Sequence, residues 1–261
     1  MRVMSFNLHH GVGADGRLDL ERSAALVEAC AADVVAVQEV DRHLGPRSDF
    51  VDQPAWLAER LGMDVAYGVN VERPPATPGA PPRQYGTALF SRTPLVWWRN
   101  VALPLPVGGE PRGLLEALVD VGDLIVRALG THLQHDSARG RAAQADVIAA
   151  VAAASREPVV LLGDLNAAPH APELASLDAT LVDAWESAGD GPGRTFPSTR
   201  PRTRIDYVMT SPDLPALAAA VVAGDASDHL PVVADLALPG ASRSRRAAGG
   251  GGAAAGDRER R

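Results

Sequence analysis

The sequence predicts an α/β (α+β) protein built on a mixed β-sheet, or on two sheets packed face to face, with helices on the outside. Short aliphatic segments with strand character outnumber the amphipathic segments with helical spacing. Some of these strands are separated only by a turn, as at Gly122-Asp123, and others are separated by a predicted helix. Turns join antiparallel strands and helical crossovers join parallel strands, so the combination indicates mixed sheets.

The first quarter of the chain predicts two strands and two helices. Residues 2–8 alternate apolar and polar side chains and predict a strand that ends at Asn7. Helical spacing predicts a helix over 18–32. Residues 33–40 predict a second, buried strand that finishes on polar residues, and a short helix is expected over 53–61. The proline-rich residues 73–82 predict an exposed loop.

The middle and the end of the chain predict most of the strands. Strands are expected over 86–91, 95–103, 113–121 and 124–130, and His132 stands just past the last of them. Ser137 is placed to cap a long alanine-rich helix that runs to about residue 155. A core strand over 159–162, a short helix near 171–177 and strands over 204–210, 217–222 and 230–238 follow. We expect one domain over 1–239 and a disordered tail rich in alanine, glycine and arginine over 240–261.

Composition excludes some classes of protein. The net charge is −7, which argues against tight, passive binding to nucleic acid because such binding needs a basic face. A single cysteine excludes an internal disulfide. No apolar run is long enough to span a bilayer, and no signal peptide is recognisable at Met1. We therefore expect a cytoplasmic monomer without a transmembrane segment.

Two polar side chains follow the core strand over 159–162. Asp164 and Asn166 come directly after its carboxyl end, on the same side of the chain. Ligands bind at this edge of open α/β sheets. Taken alone, however, the pair is explained more simply by an Asx-type turn that closes the strand.

Similar polar residues recur at the other predicted strand ends. The set is Asn7, Glu39, His132, Asp164, Asn166, Asp206, Asp228 and His229. Carboxylate and amide oxygens favour a hard divalent cation, Mg²⁺ above all. Asp228 and His229 are adjacent and would face opposite ways on a strand, so the partner of His229 must come from elsewhere, with Asp206 the obvious carboxylate. No serine nucleophile elbow or glycine-rich phosphate loop accompanies them.

Seven short motifs contain these residues in a recognisable order. They are Ser-Phe-Asn-Leu, Val-Gln-Glu-Val, Tyr-Gly-Thr-Ala-Leu-Phe-Ser-Arg, Thr-His-Leu, Gly-Asp-Leu-Asn-Ala, Arg-Ile-Asp-Tyr-Val and Ser-Asp-His-Leu-Pro-Val. Together they cover residues 3–238 and resemble the endonuclease/exonuclease/phosphatase superfamily, in particular its small bacterial members. One departure is Thr87, at a position where many members carry asparagine.

The resemblance implies a four-layered α/β sandwich and metal-dependent cleavage of a phosphate ester, with Mg²⁺ as the cofactor and Mn²⁺ as a substitute. It implies that Glu39 is the principal metal ligand, with Asn7 beside it and Asp228 completing the metal environment. Asp206 would orient His229, which would act either as the general base or as a positively charged phosphate contact.

The resemblance also implies roles around the attacking water. Asp164 would position or activate that water, and Asn166 would hold it or the phosphate oxygens. His132 would contact the phosphate, with Arg112 and Tyr85 as weaker candidates for the same task; a surface arginine and a packed tyrosine are the alternatives.

The substrate is left open by the resemblance, because the superfamily includes abasic-site endonucleases, deoxyribonucleases, sphingomyelinases and inositol-phosphate phosphatases. No basic or aromatic insertion suited to gripping DNA is present. Trp97-Trp98 is the one candidate for peripheral membrane contact, and we expect a strand with one of the two pointing inward. The similarity of residues 38–53 to small bacterial members linked to lipid-anchor remodelling favours a small or phospholipid-like phosphodiester. A nuclease and a catalytically idle binding module are the alternatives.

Overall fold

The computed structural model describes residues 1–239, and the tail predicted over 240–261 lies outside the described residues. The strands are β1 (Arg2–Asn7), β2 (Val34–Arg42), β3 (Asp64–Arg73), β4 (Arg83–Ser91), β5 (Leu95–Ala102), β6 (Gly113–Asp120), β7 (Ile125–His132), β8 (Val159–Asp164), β9 (Val182–Asp183), β10 (Asp206–Thr210), β11 (Ala216–Val221) and β12 (Val232–Leu236). The α-helices are α1 (Leu20–Cys30), α2 (Gln53–Leu61), α3 (Ala138–Ala153), α4 (Ala175–Asp178) and α5 (Ala184–Ala188). Short 3-10 turns lie at His9–Gly11, Pro46–Ser48 and Pro172–Leu174.

The helix boundaries follow from capping side chains. Asp19 accepts a hydrogen bond from the Arg22 amide at the start of α1, and Ser137 accepts one from the Gly140 amide at the start of α3. Each cap satisfies an amide that has no partner within its helix. The cap predicted at Ser137 is therefore confirmed.

The strands form two mixed sheets of six strands each. Their orders are β11-β12-β1-β2-β4-β3 and β5-β6-β7-β8-β10-β9. In the first sheet β1 and β2 run parallel, in the second β7 and β8 do, and the other neighbours are antiparallel. The prediction of two mixed sheets is confirmed.

Side chains along the central strands point alternately to the two faces of each sheet, and this arrangement produces four layers. On β8, Val160 and Leu162 pack between the sheets, and Leu161 faces the opposite side, where it packs with Ile148 of α3. On β2, Val34 faces the other sheet, and Val35 packs in the cluster that contains α1. Both faces of each sheet are thus covered, one by the other sheet and one by helices, so the predicted four-layered sandwich is confirmed.

This topology brings the catalytic candidates to one end of the sandwich. The carboxyl ends of the parallel pairs β1–β2 and β7–β8 lie at the same end of the sandwich, since Asn7 at the end of β1 contacts Asp164 at the end of β8. The antiparallel neighbour β10 begins there, and its first residue, Asp206, is in register with Asp164.

Several elements differ from the sequence prediction. β3 was not predicted, because Gly68 and Asn70 interrupt its alternation and lower its β-propensity. The strand predicted over 230–238 begins only at Val232, so His229 lies in a bend before it. The face rule used for Asp228 and His229 therefore did not apply, although the partner it suggested for His229 is the one observed.

The expectation that one of the two adjacent tryptophans points inward is wrong. Trp97 is 41% exposed and Trp98 is 48% exposed. They lie on β5, at the edge of the second sheet, where the register with β6 shifts between Leu95 and Trp97. A bulge at an edge strand breaks the alternation that the prediction assumed. Within residues 1–239, no helix has the length and apolar character needed to cross a membrane.

Candidate active site

Six of the predicted polar residues meet between the two sheets at the carboxyl ends of the central strands. They are Asn7, Glu39, His132, Asp164, Asp206 and His229. Asp164 continues the inward-facing row of Val160 and Leu162 on β8, so the alternation that builds the core also places its carboxylate in the site.

The Asp164 carboxylate lies at the centre of this group. Its Oδ2 accepts a hydrogen bond of 3.1 Å from Asn7 Nδ2. The Nε2 atoms of His132 and His229 lie 3.6 Å and 3.7 Å from the same oxygen. Burial and the charge of Asp206 raise the pKa of Asp164 to about 7, with His229 opposing the shift. A carboxylate with such a pKa is suited to accept a proton near neutral pH.

The other oxygen of Asp164 is held by its own strand end. Oδ1 accepts a hydrogen bond of 2.9 Å from the Asn166 amide, which is the Asx-type turn considered for this segment. Asn166 has a left-handed backbone, and its Nδ2 donates to the Leu133 carbonyl at 3.1 Å. The turn and the site thus coexist, because the turn uses one carboxylate oxygen and leaves the other for the site. The Nδ2 of Asn166 is thus bonded to the backbone rather than to another side chain of the site.

His229 is paired with a buried carboxylate. Its Nδ1 lies 2.9 Å from Asp206 Oδ2 and 3.2 Å from Oδ1. Burial alone would lower the pKa of His229, but Asp206, Asp164 and Asp228 outweigh it and raise that pKa to about 10. The imidazole therefore carries a proton at neutral pH and presents a cation to the site.

Glu39 projects from a bulge in β2. Val37 pairs with Ala88 and Val40 pairs with Gly86, so Gln38 and Glu39 together stand opposite one residue of β4. Glu39 has φ of 58°, in the left-handed region that costs a non-glycine residue energy. Bulges of this kind turn a side chain away from its regular direction. The bulge thereby turns Glu39 toward Asn7, whose Nδ2 lies 3.2 Å from Glu39 Oε1.

Glu39 is ionised and only partly covered. Burial would raise its pKa, but His10, His132 and Asn7 hold the pKa well below its usual range. Its side chain is 24% exposed, and Oε2 lies 3.9 Å from His10 Nδ1. An ionised oxygen that is partly open to solvent and weakly bonded is a suitable ligand atom for a hard cation.

Two histidines to which the sequence analysis assigned no role, His9 and His10, lie beside Asp228 and Glu39. His9 and His10 both have a left-handed backbone in the 3-10 turn after β1. His9 Nδ1 lies 3.6 Å from Asp228 Oδ1, and His10 lies beside Glu39. Their position just past the predicted strand end, two and three residues after Asn7, was the signal that would have identified them. Asp228 is at the rim, with 38% of its side chain exposed.

A third side of the site contains the phosphate-contact candidates. Burial and the charge of Arg112 lower the pKa of His132 well below its usual value, so this imidazole is neutral. Arg112 is 5% exposed and lies 3.1 Å from Glu110, and its Nε has no hydrogen-bond partner among residues 1–239. Burial raises the pKa of Tyr85, with the charges of Glu39 and Arg112 also acting on it, so its hydroxyl stays neutral. The side chains of Arg112 and Tyr85 therefore both lie near Glu39 and His132.

Two groups of residues are candidates to hold a divalent cation. Asp164, Asp206 and His229 offer ligand atoms within 4.8 Å of one another. However, His229 is protonated and both oxygens of Asp206 face it, which leaves this group poorly prepared to act as metal ligands. Glu39, with the Asn7 amide beside it, has the more open oxygens and fits Mg²⁺ better.

Comparison with known proteins identifies relatives with this architecture. The model of the endonuclease/exonuclease/phosphatase family matches residues 4–229. The structure of an endonuclease/exonuclease/phosphatase from Beutenbergia cavernae is 34% identical, covers 91% of this chain and 71% of that one, and has a TM-score of 0.75. No curated protein sequence matches the chain significantly.

Two more distant structures share the fold alone. The mannosyl-6-phosphatase Bt3783 of Bacteroides thetaiotaomicron is 18% identical over 91% of this chain and 100% of that one, with a TM-score of 0.73. The catalytic domain of human Nocturnin is 23% identical over 91% of this chain and 94% of that one, with a TM-score of 0.67.

Proposed function

The chain belongs to the endonuclease/exonuclease/phosphatase family, and we propose that it hydrolyses a phosphodiester by in-line attack of a water molecule with Mg²⁺ as its cofactor. The family consists of hydrolytic phosphoesterases that generally depend on a divalent metal. The single observation that carries the proposal is the convergence on Asp164 Oδ2 of Asn7, His132 and His229, which come from both sheets.

The pKa values of Asp164 and His229 support different catalytic roles for the two residues. Because His229 already carries its proton, it is suited to contact a negatively charged phosphate rather than to remove a proton from water. Asp164, whose pKa is raised to about 7, is the better base for the attacking water. Asp206 keeps the His229 ring oriented and charged.

The remaining residues surround the phosphate. His132 and Arg112 line one side, where the guanidinium of Arg112 adds positive charge and its Nε retains a hydrogen to donate. Tyr85 offers a neutral hydroxyl. When bound by Glu39 and Asn7 near Asp228, Mg²⁺ would supply charge neutralisation for the non-bridging oxygens and the leaving group.

A small or phospholipid-like substrate is favoured over duplex DNA. The chain carries a net charge of −7, whereas DNA is held by proteins that neutralise several phosphates with basic side chains. The exposed Trp97 and Trp98 supply an apolar edge that would suit contact with a lipid surface. The name of a Bacteroides protein with the same fold, a mannosyl-6-phosphatase, is consistent with a small phosphate ester as substrate.

One panel of substrates tests the proposal. Purified protein with Mg²⁺ is assayed on glycerophosphodiesters, phosphoinositides, an abasic oligonucleotide and plasmid DNA, each with an EDTA control. We expect turnover of a small or lipid-like phosphodiester that EDTA abolishes. Cleavage of plasmid at physiological salt would favour the nuclease instead. Failure to hydrolyse any substrate, together with no Mg²⁺ or Mn²⁺ binding by calorimetry, would identify an idle binding module.

A further inference from the structure

A pocket of about 280 Å³ lies next to the candidate active site. It lies over the β3–β4 ladder, on the face of the first sheet that is turned toward the second sheet. Tyr85 forms part of its lining. On β4, Leu89 faces the other sheet, and Thr87 and Tyr85 continue the same face by alternation. Tyr85 is also under the influence of the charges of Glu39 and Arg112. One side chain therefore borders both the catalytic group and the pocket.

The pocket contains more positive than negative charge. Arg47, Arg73 and Arg83 line it, and Glu110 is the one acidic residue in the lining. Arg47 is already paired with buried Asp41 at 2.8 Å, and Glu110 is paired with Arg112 at 3.1 Å. Neither Arg73 nor Arg83 makes an ion pair with a carboxylate of the described residues. The uncompensated charge is thus that of Arg73 and Arg83, in a protein whose net charge is −7.

Arg73 and Arg83 are directly opposite each other on neighbouring strands. They are register partners at the last pair of the β3–β4 ladder, so both side chains point to the same face of the sheet. Like charges directly opposite each other destabilise a sheet. Arg83 Nε donates to the Pro74 carbonyl at 2.8 Å, which fixes that guanidinium, and its terminal nitrogens make no hydrogen bond within residues 1–239. An anion between the two would offset their repulsion and accept these hydrogen bonds.

We propose that this pocket binds a second anionic group of the substrate, a phosphate that lies beyond the ester being hydrolysed. The proposal rests on the function proposed above and narrows its substrate class to phosphodiesters that carry an additional phosphate. The part of the substrate that joins the hydrolysed ester to the second phosphate would pass Tyr85. The second phosphate would lie between Arg73 and Arg83. Arg47, above the Tyr85 ring at 5.5 Å, completes the positive wall.

The test compares two substrates that differ by one phosphate. Thymidine 5′-(4-nitrophenyl phosphate) carries only the ester to be cleaved, and thymidine 3′-phosphate 5′-(4-nitrophenyl phosphate) carries a second anion. The variant is Arg73→Gln with Arg83→Gln, and the control is Arg156→Gln, an exposed arginine that precedes β8 at the opposite end of the strand from Asp164.

We expect the double variant to lose at least about tenfold in kcat/KM on the doubly anionic substrate and less than about twofold on the other, since charged hydrogen bonds are lost for one substrate only. The control should behave as the unmodified protein on both. Equal effects on the two substrates, or no effect on either, would overturn the proposal.

A binding measurement keeps this test separate from the proposed function. Calorimetry of inorganic pyrophosphate with metal-free protein needs no turnover. We expect the double variant to bind pyrophosphate at least about tenfold more weakly than the protein and the Arg156→Gln control do. Unchanged affinity would contradict the pocket assignment even if hydrolysis is observed. Weakened affinity without hydrolysis of either ester would support the pocket and contradict the phosphodiesterase.

Discussion

His229 Nδ1 lies 2.9 Å from Asp206 Oδ2, and this pairing sets the charge of the candidate active site. The two residues belong to segments joined to different sheets: Asp206 begins β10, and His229 lies in the bend before β12. The contact therefore forms only when the two sheets are packed together. It holds a protonated imidazole against Asp164, where a phosphate needs positive charge.

Asp206→Asn is expected to return the pKa of His229 toward or below its ordinary value of 6.5, because the amide removes the charge that raises it while burial remains. NMR titration of the imidazole carbon signals in metal-free protein measures this directly. A His229 that still titrates near 10 in the variant would show that another group holds its charge.

The same pairing predicts how stability changes with pH. The folded pKa of His229 is raised to about 10 from 6.5, so its stabilising contribution is complete below about pH 6.5 and is lost as the pH rises toward 10. Urea unfolding at several pH values should show this decline in the protein, and a smaller decline in Asp206→Asn. Parallel declines in both proteins would contradict the assignment.

Glu39→Gln is expected to weaken Mn²⁺ binding by at least about tenfold, because it removes an ionised oxygen of the candidate active site that is partly open to solvent. Calorimetry with MnCl₂ measures the affinity. Glu59→Gln, on the exposed side of α2, is the matched control and should bind as the unmodified protein does. Equal affinities in all three proteins would move the metal site away from Glu39.

Gly86→Ala is expected to destabilise the protein by roughly 2 kcal/mol or more, since an added Cβ would collide with the Gly68 carbonyl oxygen on β3. Gly86 pairs with Val40 directly after the bulge, so the change should also disturb Glu39. Urea unfolding gives the stability. Gly45→Ala, where a Cβ meets nothing within 4 Å, should cost far less.

The sequence allowed much of the fold to be predicted because the central strands are strongly marked. The run Val159–Asp164 is aliphatic until its polar end, and the structure buries it on both faces. β3 was not predicted because it is stabilised by pairing nine of its residues with β4 rather than by its own propensity. Such non-local pairing leaves little trace in a single segment.

The candidate site was predictable in its members but not in its geometry. The partner predicted for His229, Asp206, is the one observed, although the face rule that led to it did not apply because His229 lies in a bend before β12. The bulge that turns Glu39 inward and the left-handed turn that places His10 beside it depend on backbone conformations that side-chain alternation does not encode. The charge state of His229 likewise required its burial and neighbours to be known.

The most direct test of the central claim is hydrolysis of bis(4-nitrophenyl) phosphate with and without Mg²⁺ by the protein and by three variants, Glu39→Ala, Asp164→Ala and His229→Ala. We predict that EDTA abolishes turnover, that Mg²⁺ restores it, and that each variant is at least about 10²-fold slower while its circular dichroism spectrum is unchanged. Near-normal turnover in any folded variant, or full activity in EDTA, would contradict a metal-dependent phosphoesterase centred on Asp164.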